Sequence, residues 1–183
     1  MNVLWYVTRG SGIVSLLLLT GTLLLGVITS MDLTAPGLPR FVSGALHRNI
    51  SLLALAFLGV HIATTVVDGY APVRWVDAVV PFISAYHPLT LGLGVIAFDL
   101  ILAVIATSLL RSRIAPTTWR YVHLSSYACW PIALVHGLLI GTDRGQGWML
   151  LLDAVCAGLV LVAVMMRAVR RRARVDGRLE AVR

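Results

Sequence analysis

Five long apolar runs dominate the chain, at about Gly12 to Ser30, Leu46 to Val67, Leu89 to Leu110, Trp119 to Ile140 and Trp148 to Ala168. A helix needs about 20 predominantly apolar residues to cross the hydrocarbon core of a bilayer, and each run is of that length. The pattern predicts an all-α integral membrane bundle of five transmembrane helices. Most of the chain lies in these runs, so no soluble domain of useful size is expected. The first run is longer than the apolar stretch of a signal peptide, and Ile28-Thr29-Ser30 is a poor cleavage site, so it is read as a retained helix. Thr34-Ala35-Pro36-Gly37-Leu38-Pro39 reads as a short rigid connector. In the longest connection, Asp68 to Pro88, the apolar residues Trp75, Val76, Val79, Val80, Phe82 and Ile83 predict a segment lying on the membrane surface.

Charge orients the bundle. The chain is 58% hydrophobic and 13% charged, about half the charged share of a soluble domain. Its basic residues are fifteen arginines and no lysine, seven of them between Arg167 and Arg183. Arg40 and Arg48 lie between runs one and two, and Arg111, Arg113 and Arg120 between runs three and four. Arg9, Arg74 and Arg144 lie on the other side, the last two beside Asp68, Asp77 and Asp143. The positive-inside rule then puts the N-terminus outside and the C-terminus in the cytoplasm, with Trp5, Trp75 and Trp148 at the outer interface and Trp119 at the inner one. The expected location is a bacterial plasma membrane. The net charge of +7 is mostly the Arg-rich tail; a tail after an apolar run reads as an anchor against anionic lipid, not as a nucleic-acid face. Cys129 and Cys156 sit inside apolar runs without a CxxC partner and read as small buried residues.

Against this background four histidines stand out, because ligating side chains within a membrane helix are costly and usually functional. His47 and His61 are 14 residues apart on the second run, and His123 and His136 are 13 apart on the fourth. At 1.5 Å per residue these spacings are about 21 and about 20 Å. Runs two and four point the same way, so His47 is level with His123 near the inner surface and His61 with His136 near the outer. Facing pairs of imidazoles suit an iron gripped from both sides, with a porphyrin standing between the helices. A single membrane histidine is more simply a polar group bonded across helices; four of them, paired in depth, point to two b-type haems. On helical angle, His47 and His61 return to within about 40° of one face, whereas the 13-residue spacing leaves His123 and His136 about 140° apart. Pro131 lies between them, and a kink there is expected to bring His136 round.

The His47-x13-His61 and His123-x12-His136 pairs, on one span and the next but one, resemble the membrane domain of the ferric reductase and NADPH oxidase superfamily. Thr8-Arg9-Gly10-Ser11-Gly12 is similar to the Arg-containing start of that family's first helix, where the arginine lies near the outer haem. The resemblance spans nearly the whole chain and is closest to small bacterial members without a flavin domain. It implies a di-haem transmembrane domain over residues 1–168 and a short Arg-rich cytoplasmic tail over 169–183. His47 and His123 would hold the inner haem, His61 and His136 the outer haem, and Arg9 an outer-haem propionate. About fifteen residues follow the last span, so no flavin is expected to be bound by this chain and its electrons must come from a separate flavoprotein or a quinol. Where the oxidases have a further histidine one turn beyond the outer ligand of the first His helix, this chain has Thr65. That departure favours a protein or metal chelate over oxygen as the extracytoplasmic acceptor.

Other polar residues allow two readings each. Arg40, Arg48 and Arg120 stand near the inner pair and are equally explained by charge orientation. His87 before Pro88 reads as an interfacial histidine first and a contact to the outer haem or an incoming metal ion second. Trp130 and Cys129 lie between the two ligands of the fourth run and read as packing ahead of an electron relay. Asp99 and Asp153 are membrane acids open to a quinol or proton site or to a hydrogen bond. Gly21, Gly26, Gly92, Gly94 and Gly158 read as helix contacts, although glycine also lets a porphyrin approach. The function expected is transmembrane electron transfer by an oxidoreductase subunit with both irons held on two sides and no catalytic residue of its own. The alternatives are a quinol-linked cytochrome b subunit and a haem-free membrane scaffold or transport subunit.

Overall fold

The computed structural model describes residues 3–31, 40–69 and 71–180. The Thr34–Pro39 connector therefore lies outside the described residues. The helices are α1 (Val3–Ser30), α2 (Arg40–Val67), α3 (Pro88–Leu109), α4 (Pro116–Leu124), α5 (Ser126–Ile140) and α6 (Gly147–Glu180), with one 3-10 turn at Trp75–Ala78. No strand occurs among the described residues. In hydrocarbon every backbone donor and acceptor must be satisfied within the segment, which leaves helix as the local solution for such apolar runs. Hydroxyls obey the same constraint by folding back on their own helix. Ser15 Oγ donates to Ser11 O at 2.7 Å, Thr20 Oγ1 to Leu16 O at 2.8 Å and Thr107 Oγ1 to Ala103 O at 2.7 Å.

Five helical spans are long and apolar enough to cross a membrane, with α4 and α5 together forming the fourth. The chain is a multi-pass membrane protein. The helices reach beyond the apolar runs at their polar ends, because hydropathy reports only the part that sits in lipid. Pro88 and Pro116 open α3 and α4 at the first helical position, where a missing N–H costs nothing. α6 has 34 residues; at 1.5 Å each it is about 51 Å long, well beyond a hydrocarbon core of about 30 Å. It therefore carries the Arg-rich segment onward as helix, without a break at residue 168.

α1 packs between α2 and α6, and α3 packs against α5. Three small clusters make the interior: Val27, Met31 and Ala163 between α1 and α6, Ala97, Ile101 and Cys129 between α3 and α5, and Trp130, Cys156 and Val160 between α5 and α6. Trp130 Nε1 donates to Thr20 Oγ1 at 2.9 Å and Cys129 Sγ to Ala97 O at 3.3 Å, so both side chains tie α5 to its neighbours as packed, bonded groups. Leu53, Leu151, Leu161 and Val162 are exposed on the outside of the bundle, where lipid is the solvent.

The fourth span is interrupted, but not at Pro131, which sits inside α5. The break is at Ser125. Ser125 N donates to Val122 O at 3.0 Å and Ala128 N to Ser125 O at 2.9 Å, bonds that close three residues back instead of four. Ser125 Oγ and Ser126 Oγ cap the Val122 and His123 carbonyls, each at 2.7 Å. These hydroxyls compete for the carbonyls of the turn, which is why the pair of serines, six residues before the proline, sets the distortion. Each residue wound at three per turn adds about 20° relative to an α-helix. The overwinding therefore turns His136 toward the direction of His123.

Between α2 and α3 the chain makes the 3-10 turn Trp75–Ala78. Arg74 holds it: its Nη2 donates to Asp77 Oδ1 at 2.7 Å, its Nε to Oδ2 at 3.2 Å and its backbone N to Oδ2 at 2.9 Å. The Arg74 guanidinium and amide together hold the Asp77 carboxyl below the usual carboxylate range. Trp75, Val76, Val79, Val80, Phe82 and Ile83 are all exposed on this segment. Phe82 and His87 take left-handed backbone angles, φ 68° and φ 44°, and the Phe82 ring fills the place a side chain on Gly92 would take.

Candidate functional site

The four histidines come together in two pairs, one toward each end of the bundle. The rings of His47 on α2 and His123 on α4 have centroids 6.2 Å apart with planes at 62°. Two metal–nitrogen bonds of about 2 Å plus two ring half-widths give roughly that separation. At the other end, His61 on α2 and His136 on α5 line one cavity of about 280 Å³ with Thr8, Gly12 and Gly94. Among the described residues no three His, Cys, Asp or Glu side chains cluster as a metal site. A bare zinc ion takes about three or four protein ligands, whereas the iron of a haem takes at most two axial ones from the protein. Pairs of imidazoles fit the second case.

What orients these rings is a repeated seat on the neighbouring helix. His61 Nδ1 lies 2.8 Å from Thr8 O, His47 Nδ1 3.0 Å from Thr22 O and His136 Nδ1 2.6 Å from Thr90 O. A carbonyl can only accept, so each Nδ1 carries the proton and each Nε2 keeps its lone pair for a metal. The carbonyl oxygen has a second lone pair beyond its helical bond, but a ring can reach it only where the next turn has no side chain. The residue four positions on is glycine in all three cases: Gly12 after Thr8, Gly26 after Thr22 and Gly94 after Thr90. A Cβ on Gly12 would stand 3.0 Å from His61 Cε1, on Gly26 3.3 Å from His47 Cε1, and on Gly94 2.6 Å from His136 Cε1. Thr8 and Thr22 are also 14 residues apart, the interval between His61 and His47, so α1 presents two seats at the spacing of the two histidines on antiparallel α2.

The histidines stand out in the sequence by residue type, and their seats do not. The signal was available: a Thr-x3-Gly pair repeated at the histidine interval on the preceding span. Gly26 and Gly94 prove to be histidine seats, whereas Gly92 faces Phe82, and Gly21 and Gly158 meet nothing within 4 Å.

His123 has no such seat. Its Nδ1 is buried and meets no hydrogen-bond partner among the described residues. It stacks instead on Trp119, with centroids 4.9 Å apart and planes at 23°, and Arg111 lies over the same indole at 4.3 Å.

Arg9 lines the His61–His136 cavity, pairs with Asp143 and lies 4.1 Å over the Trp5 ring. A guanidinium has five donors, so this pair leaves Arg9 donors for a second anion. Arg48 and Arg120 are exposed. His87 caps α3 beside Tyr86, ring centroids 4.6 Å apart. Asp99 is half-buried on α3, and Asp153 is buried on α6 with Oδ1 unpartnered among the described residues.

A family model described as "Ferric reductase like transmembrane component" matches residues 11–140, which include all four histidines and the three seat glycines. No curated protein and no solved structure matches the chain.

Proposed function

The chain belongs to the ferric reductase-like transmembrane family, and from that premise we propose that it holds two b-type haems and carries electrons from a cytoplasmic donor to an extracytoplasmic acceptor. Membership gives the general function, electron transfer across a membrane with a redox partner. The observation that supports the finer reading is the set of Nδ1–carbonyl bonds to Thr8, Thr22 and Thr90, which leaves three Nε2 atoms as ligands within two facing pairs. When bound, each haem would supply a one-electron iron couple, tuned by its ligands and their hydrogen bonds.

The chain's own residues do the rest. His47 and His123 would hold the inner haem, His61 and His136 the outer one, and the apolar walls of the bundle would keep water from both. Arg9, already drawn to the outer cavity by Asp143, would offer its remaining donors to a propionate. The arginine distribution supports an N-terminus outside and a C-terminus inside. Residues 1–168 are then the di-haem domain and 169–183 the short Arg-rich cytoplasmic tail. The electron donor in this reading is a separate flavoprotein, with a quinol as the alternative, and the acceptor is a protein or metal chelate.

The test is the reduced-minus-oxidised spectrum of the purified chain with its haem-to-protein ratio. About two haems per chain is expected, and His61→Ala should remove one and leave the other. A chain purified from haem-replete membranes with no haem would overturn the reading, and an unchanged ratio in His61→Ala would overturn the pairing.

A further inference from the structure

Among the described residues three of the four span histidines are seated on a carbonyl and His123 is not, and the position of a fourth seat can be located. α3 carries Thr90 and Gly94, which seat His136. Fourteen residues further along α3, the interval that separates the two seats of α1, stand Val104 and Ser108. The carbonyl there is already taken: Ser108 Oγ donates to Val104 O at 2.6 Å. The same hydroxyl accepts Trp119 Nε1–H at 3.3 Å, and His123 stacks on that indole. A serine side chain and a tryptophan thus fill the place where a glycine and an imidazole stand in the other three seats.

The consequence is chemical. A ligating histidine that donates its second N–H to a carbonyl or carboxylate is fixed in tautomer and orientation and is the more basic ligand for it. His47, His61 and His136 have that bond, and among the described residues His123 has none. Ring stacking holds the plane of an imidazole but neither its tautomer nor its rotation within that plane. Resting on the di-haem reading above, we propose that His123 is the exchangeable ligand of the four, so that the iron held by His47 has a coordination position open to a small neutral ligand of the carbon monoxide type, while the His61–His136 pair stays closed.

The experiment is carbon monoxide titration of the dithionite-reduced holoprotein, followed by its absorption spectrum. The haem-to-protein ratio is measured first and reports on the di-haem reading alone. With two haems present, the expected result is about one carbon monoxide per chain. Uptake by neither haem, or by both, overturns the proposal. His123→Ala assigns the site. If its inner haem is retained, uptake should stay at about one per chain and become at least tenfold faster; a second bound carbon monoxide would mean that the wild-type adduct sits on the His61–His136 haem and overturns the proposal. If the inner haem is lost, uptake should vanish with it, and persistent uptake overturns the proposal. Trp119→Leu, which removes the stacking partner and leaves all four ligands, should likewise speed uptake at that haem without adding a second site.

Discussion

A glycine in a membrane helix is usually explained by close packing of two backbones. At Gly12, Gly26 and Gly94 the close neighbour is an imidazole ring, and the three gaps are graded. The distances a new Cβ would meet are 2.6 Å at Gly94, 3.0 Å at Gly12 and 3.3 Å at Gly26. The first cannot be accommodated without moving His136, whereas the last asks the ring to yield by a few tenths of an ångström. The hydrogen-bond partner behind a ligating histidine is typically worth roughly 10–100-fold in metal affinity. Gly94→Ala should therefore lower the haem-to-protein ratio from about two toward about one, Gly12→Ala less so, and Gly26→Ala least. Gly10→Ala and Gly21→Ala, where nothing stands within 4 Å, should leave it unchanged. Equal losses at all five positions would show that helix stability, not ring seating, is at stake. The histidines could be read from the sequence because their residue type is rare in lipid. Their seats are harder to read, because a backbone carbonyl carries no residue signature and a single glycine resembles any other; only the Thr-x3-Gly pair repeated at the histidine interval marks them.

At the scale of the element, the 13-residue spacing of His123 and His136 requires a distortion, and the proline between them is the cause the sequence suggests. The requirement stands, but the structural agent differs. Pro131 removes the N–H that would bond Tyr127 O, while α5 continues through it as helix. The tight turn is made by Ser125 and Ser126, because each hydroxyl satisfies a carbonyl that lipid cannot. A proline is visible in a sequence as a breaker; two serines are visible only as helix-neutral polar residues. The two causes separate by mutation. Pro131→Ala should keep about two haems per chain and change the unfolding temperature by no more than a few degrees. Ser125→Ala with Ser126→Ala should relax the turn and cost the haem that depends on His136, sparing the one on His47 and His123. The opposite pattern in the haem-to-protein ratio would return the kink to the proline. The ends of the helices were the least legible part of the fold for a related reason. α6 is set as one helix by continuous backbone bonding, which does not change where apolar residues give way to arginine after Arg167.

For the whole molecule, function depends on which face is which. The two pairs are unequal in their surroundings. His61 and His136 share a cavity with Arg9, Asp143 and Tyr86. His47 and His123 lie toward the face of Arg111, whose side chain covers Trp119, and of Arg167, which bonds Tyr127. The arginine excess on that second face favours the cytoplasm, since translocating each arginine is disfavoured. Electrons entering beside His123 would then leave beside His61, and the one exchangeable ligand would sit on the donor side, away from extracytoplasmic oxidants. Labelling with a membrane-impermeant maleimide decides the orientation. The native Cys129 and Cys156 are buried and should remain silent. Cysteine placed at exposed Gln146, before α6, should react in intact cells, and cysteine placed at exposed Ser112, between α3 and α4, should react only once the membranes are inverted or opened. Reversed labelling would leave the histidine pairs and their seats intact but reverse the direction of electron flow. The exchangeable His123 site would then face the acceptor, where an open coordination position acts as a substrate site rather than a protected relay.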